Sequence, residues 1–417
     1  MNAVGVISVG PVVMGSRFAR ERRTTGEPMR RSTERILTTH AGSLPRPEDL
    51  TQLFVRRAQG AHVSTDEIAA AGREAMRAIV PKQAEAGVDI GNNGEQQRES
   101  FFLYLRDRLT GLGGNWQRPS RADVDRYPEF KKRWVAQMAA AKHVSPMEGL
   151  PMAVGEVRYI GTEAIEGECR DFRDVLAEHP NVFTESFMNA PSPGMLAAAI
   201  RNQHYDTLGN YLKALAEALR VEYEAIVRAG FVLQIDAPDL ALERHISFKD
   251  QPLAKFVAFV EAVISAINEA LRNVPRDRVR MHVCWGNSES PHDCDVPLQD
   301  ILPTVQQANV GGFYLPFAGP RHAHEFKCFA THPLQDDQIL VAGVIDPLTN
   351  IVEHPEVVAD RIERVAAVLG DPTRVLAGTD CGFDTSAGWG RVAPDVVWAK
   401  LRSLRDGARI ASDRLFP

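Results

Sequence analysis

Met281-His282-Val283-Cys284-Trp285-Gly286-Asn287 reads as the end of a strand and the loop that follows it. Just upstream, Arg278 to Met281 alternates charged and apolar residues. In a strand, residues two apart point to the same side. His282 and Cys284 are therefore expected to project together from the strand end. An imidazole beside a thiolate suits Zn²⁺, which takes nitrogen and sulfur ligands in a tetrahedron. His-x-Cys alone is a weak signal, because it recurs by chance. A second run, Arg374-Val375-Leu376-Ala377-Gly378-Thr379-Asp380-Cys381-Gly382, strengthens it by ending on another cysteine. Three protein ligands and an open position make the catalytic zinc arrangement.

Outward from this stretch, apolar runs alternate with helical periods. Ser64-Thr65-Asp66-Glu67 is a capping box that opens a helix toward Ala86, with a break or kink expected at Pro81 and a stop at Gly87. Leu212, Leu215, Leu219, Tyr223 and Ile226 recur at spacings of three and four, a second helix, and Pro252 to Asn273 reads as a third. Val358, Ile362, Val365 and Leu369 mark one more. The runs between them end in polar residues: Asn92, Asn93 and Glu95 after Val88–Gly91, Asp236 after Phe231–Ile235, Arg321, His322 and Glu325 after Val310–Leu315, and Asp346 after Ile339–Ile345. Apolar strands alternating with helices imply parallel βα units. Polar residues after every strand fit an α/β fold of the (β/α)₈ TIM-barrel class, whose site lies on the C-terminal face. A doubly wound open sheet, the alternative, would gather its ligands at one switch point.

The 417 residues divide into an expected disordered tail over 1–34 and one barrel over 35–417, with an irregular insertion of helices and a hairpin around 100–190. In the tail, arginines follow the apolar stretch from Val4 to Met14, the reverse of a secretory signal, and Met29 is a candidate natural start. Hydrophobic content of 44% and charged content of 24% are ordinary for a globular protein. A net charge of −6 gives no case for nucleic acid or a membrane surface, and no apolar run is long enough to span a bilayer. Five scattered cysteines make no disulfide framework, so a reducing cytoplasm is expected. Oligomeric state is not readable from periodicity, and a homo-oligomer is left open.

The sequence resembles the cobalamin-independent methionine synthase family, specifically short members similar to its C-terminal catalytic barrel. The likeness rests on Thr39-His40-Ala41-Gly42-Ser43-Leu44-Pro45, Gln234-Ile235-Asp236, the His282–Asn287 motif, Gly343-Val344-Ile345-Asp346 and Thr379-Asp380-Cys381-Gly382. The uroporphyrinogen decarboxylase barrel is related, and epoxyalkane:coenzyme M transferases share the scaffold and the zinc motif. The resemblance implies zinc held by His282, Cys284 and Cys381, activating a small thiol such as homocysteine toward a methyl or alkyl donor. It implies that Asp236 binds the substrate's amino group and that Gly42 and Ser43 contact the same molecule. His40, Asn93, Glu95, Trp285, Asn287 and Arg321 complete the expected substrate set. His40 reads equally well as a core histidine, and Arg321 as a partner of a loop carboxylate.

Three departures accompany the likeness. The family's glutamate zinc ligand falls at Pro316, leaving Glu325, His322, His324 or water as a fourth ligand. Asp346, expected to be catalytic, is followed by Pro347 where the methionine synthases have a histidine. Asn93 stands where many short relatives have aspartate. These put methyltetrahydrofolate in doubt as donor. Zinc-dependent thiol methyl transfer is the first reading, and opening of an epoxide by a coenzyme M type thiol is the alternative. A metal-free decarboxylase or lyase and an inactive binding protein are the remaining two.

Overall fold

The computed structural model describes residues 26–416. Eight parallel strands form the barrel: β1 (Leu37–Thr38), β2 (Ile90–Gly91), β3 (Glu185–Pro191), β4 (Val232–Asp236), β5 (Val279–His282), β6 (Gly312–Pro316), β7 (Ile339–Ile345) and β8 (Val375–Thr379). Neighbours in this order pair with one another, β8 pairs with β1, and a parallel bridge between Thr39 and Ile90 closes the ring.

Register explains which side chains reach the interior. In β4 and β5, Gln234 pairs with Arg280 and Asp236 with His282. Residues two apart share a face, so Val232, Gln234 and Asp236 form an inward column, as do Arg280 and His282. Leu233, Ile235, Val279 and Met281 face outward into the large core under the helices. A smaller inner core holds Leu37, Ile90, Phe187, Val232, Tyr314, Val341 and Leu376. Arg280 crosses this interior with its guanidinium 4.0 Å from the centre of the Phe187 ring and its Nε donating to Gln234 Oε1 at 2.8 Å. The floor is thus a packed plug, and only its upper layer is polar.

The helices follow local rules. Ser64 Oγ accepts from Glu67 N and caps Thr65–Glu85, which runs through Pro81 without ending there. The continuing helix shows that Pro81's missing N–H costs too little, against this packing, to stop it. Gly87, at φ +87°, turns the chain toward β2. Leu208–Arg228 and Pro355–Leu369 fall where the periodicity placed them, and the Pro252–Asn273 reading narrows to Leu253–Ala270.

Two boundaries differ from expectation. Residues 26–34, expected within a disordered tail, are packed on the barrel, for Met29 joins the inner core and donates N–H to Asp277 O, while Ser32 Oγ donates to Val375 O. Residues 26–34 therefore run along the lower end of the barrel; residues 1–25 lie outside the described part. The insertion also ends sooner than 190. Glu163–Glu178 packs against its two neighbouring barrel helices, and β3 follows it, so both belong to the regular repeat. What is inserted includes an antiparallel strand pair, Leu112–Trp116 with Leu150–Ala153, which is joined through the helix Pro128–Ala140 and is therefore not the expected hairpin.

Candidate active site

The strands' C-terminal ends deliver one group after another to a cavity of about 630 Å³. β1 contributes Ala41 and Ser43, β2 Glu95, β4 Asp236, β5 His282, Cys284 and Asn287, and β8 Cys381 and Gly382. The insertion forms the roof with Gln117, Arg121, Lys131, Trp134, Met138 and His143 among others. The inserted segment therefore closes the mouth of the barrel.

His282, Cys284 and Cys381 come together, their ligand atoms all within 4.8 Å of one another and all three residues enclosed. Strand alternation aims the first two, and β8 brings the third. The Cys381 thiol donates toward the Cys284 sulfur. That bond, with His282 nearby, outweighs burial and draws Cys284 down to about 6, while the same bond and burial push Cys381 up. Burial works against a charged His282, yet the Cys284 thiolate and the Asp236 carboxylate raise it to about 9. Near neutral pH the trio is thus a thiolate, an imidazolium and a thiol, and a metal ion would take the place of the two protons.

Asp236 stands beside it. Its Oδ1 lies 3.3 Å from His282 Nδ1, and it accepts from Gln234 Nε2 and Asn189 Nδ2, each at 2.8 Å. Asn189 also donates to Ala41 O at 2.9 Å and accepts from Asn92 Nδ2 at 3.0 Å. Burial, and then Asp236, raise the Glu95 carboxyl to about 8 against the pull of Arg98 and Arg46. Glu95 is held at φ +55°, a conformation L residues rarely adopt, and its Oε2 has no hydrogen-bond partner among the described residues. Gly42, at φ +135°, lets the backbone pass between: a Cβ there would lie 2.5 Å from both Asn189 Nδ2 and Glu95 Oε1.

Other expected site residues are placed elsewhere. His40 is a buried strut: Gly42 N donates to its Nδ1 at 3.2 Å and its Nε2 faces Gln83 Oε1 at 2.8 Å. Burial holds its ring neutral, with the pKa down to about 4. Asn93 accepts from Glu95 N at 3.0 Å and so shapes the Glu95 loop without lining the cavity. Trp285 turns away from the cavity, donating to Val296 O at 2.7 Å and stacking on His322. Arg321 is exposed and lies 3.5 Å from Asp293 O. Asp346 accepts from Leu348 N within its own turn and does not line the cavity. Glu325 spends its oxygens on Leu298 N and His322, so the trio's fourth position does not fall to it. At Pro316 the chain offers no side-chain donor, and Asp380 behind it is bound by the amides of Phe317, Ala318 and Gly319. The sequence reading missed Asn189 and the entire roof, and it named Asn92 only as a strand-end residue and Gln234 only within the Asp236 motif. Gln234 lies two residues before Asp236 on one strand face and so reaches the same carboxylate.

Residues 36–408 match the family described as the cobalamin-independent synthase, catalytic domain. A methionine synthase from Saccharolobus solfataricus is 23% identical over 381 residues, covering 91% of this chain and 95% of that protein. Among solved structures, a B12-independent methionine synthase from Shewanella sp. W3-18-1 in complex with selenomethionine superposes with TM-score 0.68 at 18% identity, covering 91% of this chain and 99% of that one. A putative vitamin-B12 independent methionine synthase from Listeria monocytogenes gives TM-score 0.58 at 20% identity, covering 91% and 98%. These two likenesses concern the fold, and they agree with the closed barrel. The match over residues 36–408 places the chain in the cobalamin-independent synthase family, as a member of its catalytic-domain type.

Proposed function

We propose that this chain transfers a methyl or other alkyl group to a small aminothiol of the homocysteine class, using zinc held by His282, Cys284 and Cys381. The observation that carries the reading is the trio lining one cavity together with two carboxylates, Glu95 and Asp236. Its nitrogen and two sulfurs fit zinc by donor type, and three protein ligands leave a position open. Bound zinc would keep the substrate sulfur as a thiolate at neutral pH, the nucleophilic form.

The chain's own residues do the rest. Asp236, 3.3 Å from His282 Nδ1, fixes the ring that serves the metal. Glu95, with one unpartnered oxygen, receives the substrate ammonium together with Asp236. Ser43 and the turn at Gly42 border that end of the molecule. The roof from Gln117 to Glu148 covers the donor and keeps water from the alkyl carbon. A sulfur–carbon bond forms, and the donor's old bond to carbon breaks and leaves with its electron pair. The thiol proton is lost on binding. A sulfonated thiol would set its anion against Glu95 and Asp236, so the epoxide-opening reading is not carried forward.

Cobalt(II) substitution tests the proposal. Homocysteine should intensify the thiolate-to-cobalt charge-transfer band, 2-mercaptoethanesulfonate should do so weakly, and a methyl donor should yield the methylated thiol by mass spectrometry. A protein that takes up no metal, or whose band no thiol alters, would end this reading.

A further inference from the structure

We infer that the chain carries a second metal site, built from His245, His292, Asp295 and His322 on the loops after β4, β5 and β6. It is distinct from the cysteine trio and independent of the proposed reaction. Its donors are three imidazoles and a carboxylate, which select a first-row divalent cation by nitrogen and oxygen chemistry.

The first observation is geometric. His292 Nδ1 and His322 Nε2 each lie 2.8 Å from Asp295 Oδ2, and the three ligand atoms lie within 4.8 Å of one another. His245 Nδ1 lies 2.8 Å from the other oxygen, Asp295 Oδ1. Ligands around zinc at tetrahedral angles sit about 3.3 Å apart, so a small outward spread admits an ion.

The second observation is the orientation of the rings. Ligating histidines turn their other nitrogen to a carbonyl or carboxylate. His292 Nε2 faces Ser288 O at 2.9 Å, and His322 Nδ1 faces Glu325 Oε2 at 2.9 Å. With those protons placed, two lone pairs point at the Asp295 carboxylate. Protons alone resolve that repulsion only if both rings are imidazoliums.

The third observation is one that protons leave unexplained. His245 is 1% exposed, yet among the described residues neither of its ring nitrogens has a hydrogen-bond partner, and Asp295 Oδ1 lacks one too. Their close approach is out of line for a hydrogen bond, as two donors aimed at a common ion would be. His292 is also held at φ +56°, a conformation disfavoured for any residue with a Cβ. Strain of this kind persists where the surroundings impose it, often at ligand sites.

The site braces the catalytic loop. Trp285 follows Cys284 directly, and its ring stacks on His322 with centroids 3.9 Å apart. An ion here would join three loops behind the cysteine ligand.

Metal stoichiometry of the untagged full chain, loaded with cobalt(II) without oxygen, tests the inference. Wild type should bind two equivalents. The Cys284→Ser, Cys381→Ser double variant should keep one and lose the thiolate charge-transfer band, whereas Asp295→Asn should lose one and keep the band. One equivalent in wild type, abolished by the cysteine changes, would show a proton-bridged cluster and overturn the inference. Should Asp295→Asn not fold, wild type and the cysteine variant still decide it. One equivalent in wild type with no thiolate band, kept by the cysteine variant and lost in Asp295→Asn, would refute the reaction reading and leave this site standing.

Discussion

Two histidine clusters border the loop after β5, and they differ in chemistry and in outlook. His282, Cys284 and Cys381 line the cavity and offer sulfur; His245, His292, Asp295 and His322 lie behind it and offer nitrogen and oxygen. Three ligands in the first set would leave a metal one open position on the cavity side, while the second set draws on three loops and faces Trp285. The contrast teaches that proximity of titratable groups does not mark a reaction centre by itself. What separates the two is the cavity: one cluster lines it with Glu95 and Asp236, and the other does not line it.

The hardest way to break the contrast is to remove the sulfur. Cys284→Ser and Cys381→Ser each should cut thiol alkylation by more than the roughly 100-fold that losing a hydrogen-bond partner of a metal ligand costs. Alkylation by either serine variant at near wild-type rate would place the chemistry elsewhere. Asp236→Asn keeps the shape but removes charge from both His282 and the expected ammonium. A loss of roughly 10–100-fold is expected, divided between kcat and KM. With a thiol lacking the amino group, the gap in KM between wild type and variant should narrow. An unchanged gap would assign Asp236 to the imidazole alone.

The pH dependence gives a smaller and more specific effect. Glu95 is raised to about 8 by burial and by Asp236. A carboxyl raised in the folded state stabilises the fold below the ordinary carboxylate pKa, and that contribution is lost as pH rises toward 8. The ligand-free protein should therefore lose stability between about pH 4.5 and 8, and Glu95→Gln should flatten that slope in denaturant titrations. Binding an ammonium requires the opposite form. Below pH 8, binding of an amino-acid ligand that has no free thiol should release one proton, and its affinity should rise about tenfold per pH unit. Calorimetry in buffers of different ionisation enthalpy measures the proton, and binding without release would remove Glu95 from the ammonium site.

The barrel was legible because its interior strands are continuous apolar runs. Ile339–Ile345 is one from end to end, and the residues just beyond such runs are where chemistry collects. β3 was not legible, since Glu185–Pro191 holds Glu, Ser, Asn and Pro in seven residues. Asn189 is polar for a reason that only the closed ring reveals: it bridges Ala41, Asn92 and Asp236 from three other strand ends. The trio was readable from period-two alternation plus one distant cysteine. The second cluster was not, because its members follow three different strands and no local spacing links His245 to Asp295. Trp285 and Arg321 were read toward the substrate on motif alone, and the fold turns both away from the cavity.

The finest probe of the contrast is Trp285, which touches both sides. Its indole donates to Val296 O and stacks on His322, while its backbone is joined to Cys284. Trp285→Phe keeps a ring against His322 but leaves the buried Val296 carbonyl unpaired. Stability should fall by about 1–2 kcal/mol, read from the denaturant midpoint. Alkylation should fall less than tenfold, since no ligand is removed. The cobalt spectrum distinguishes two ways in which the loop could respond. If the clusters are separate, the thiolate charge-transfer band holds its position while the weaker nitrogen and oxygen bands shift with His322. If both sets of bands move together, Trp285 transmits strain between the sites, and the loop after β5 is one mechanical unit.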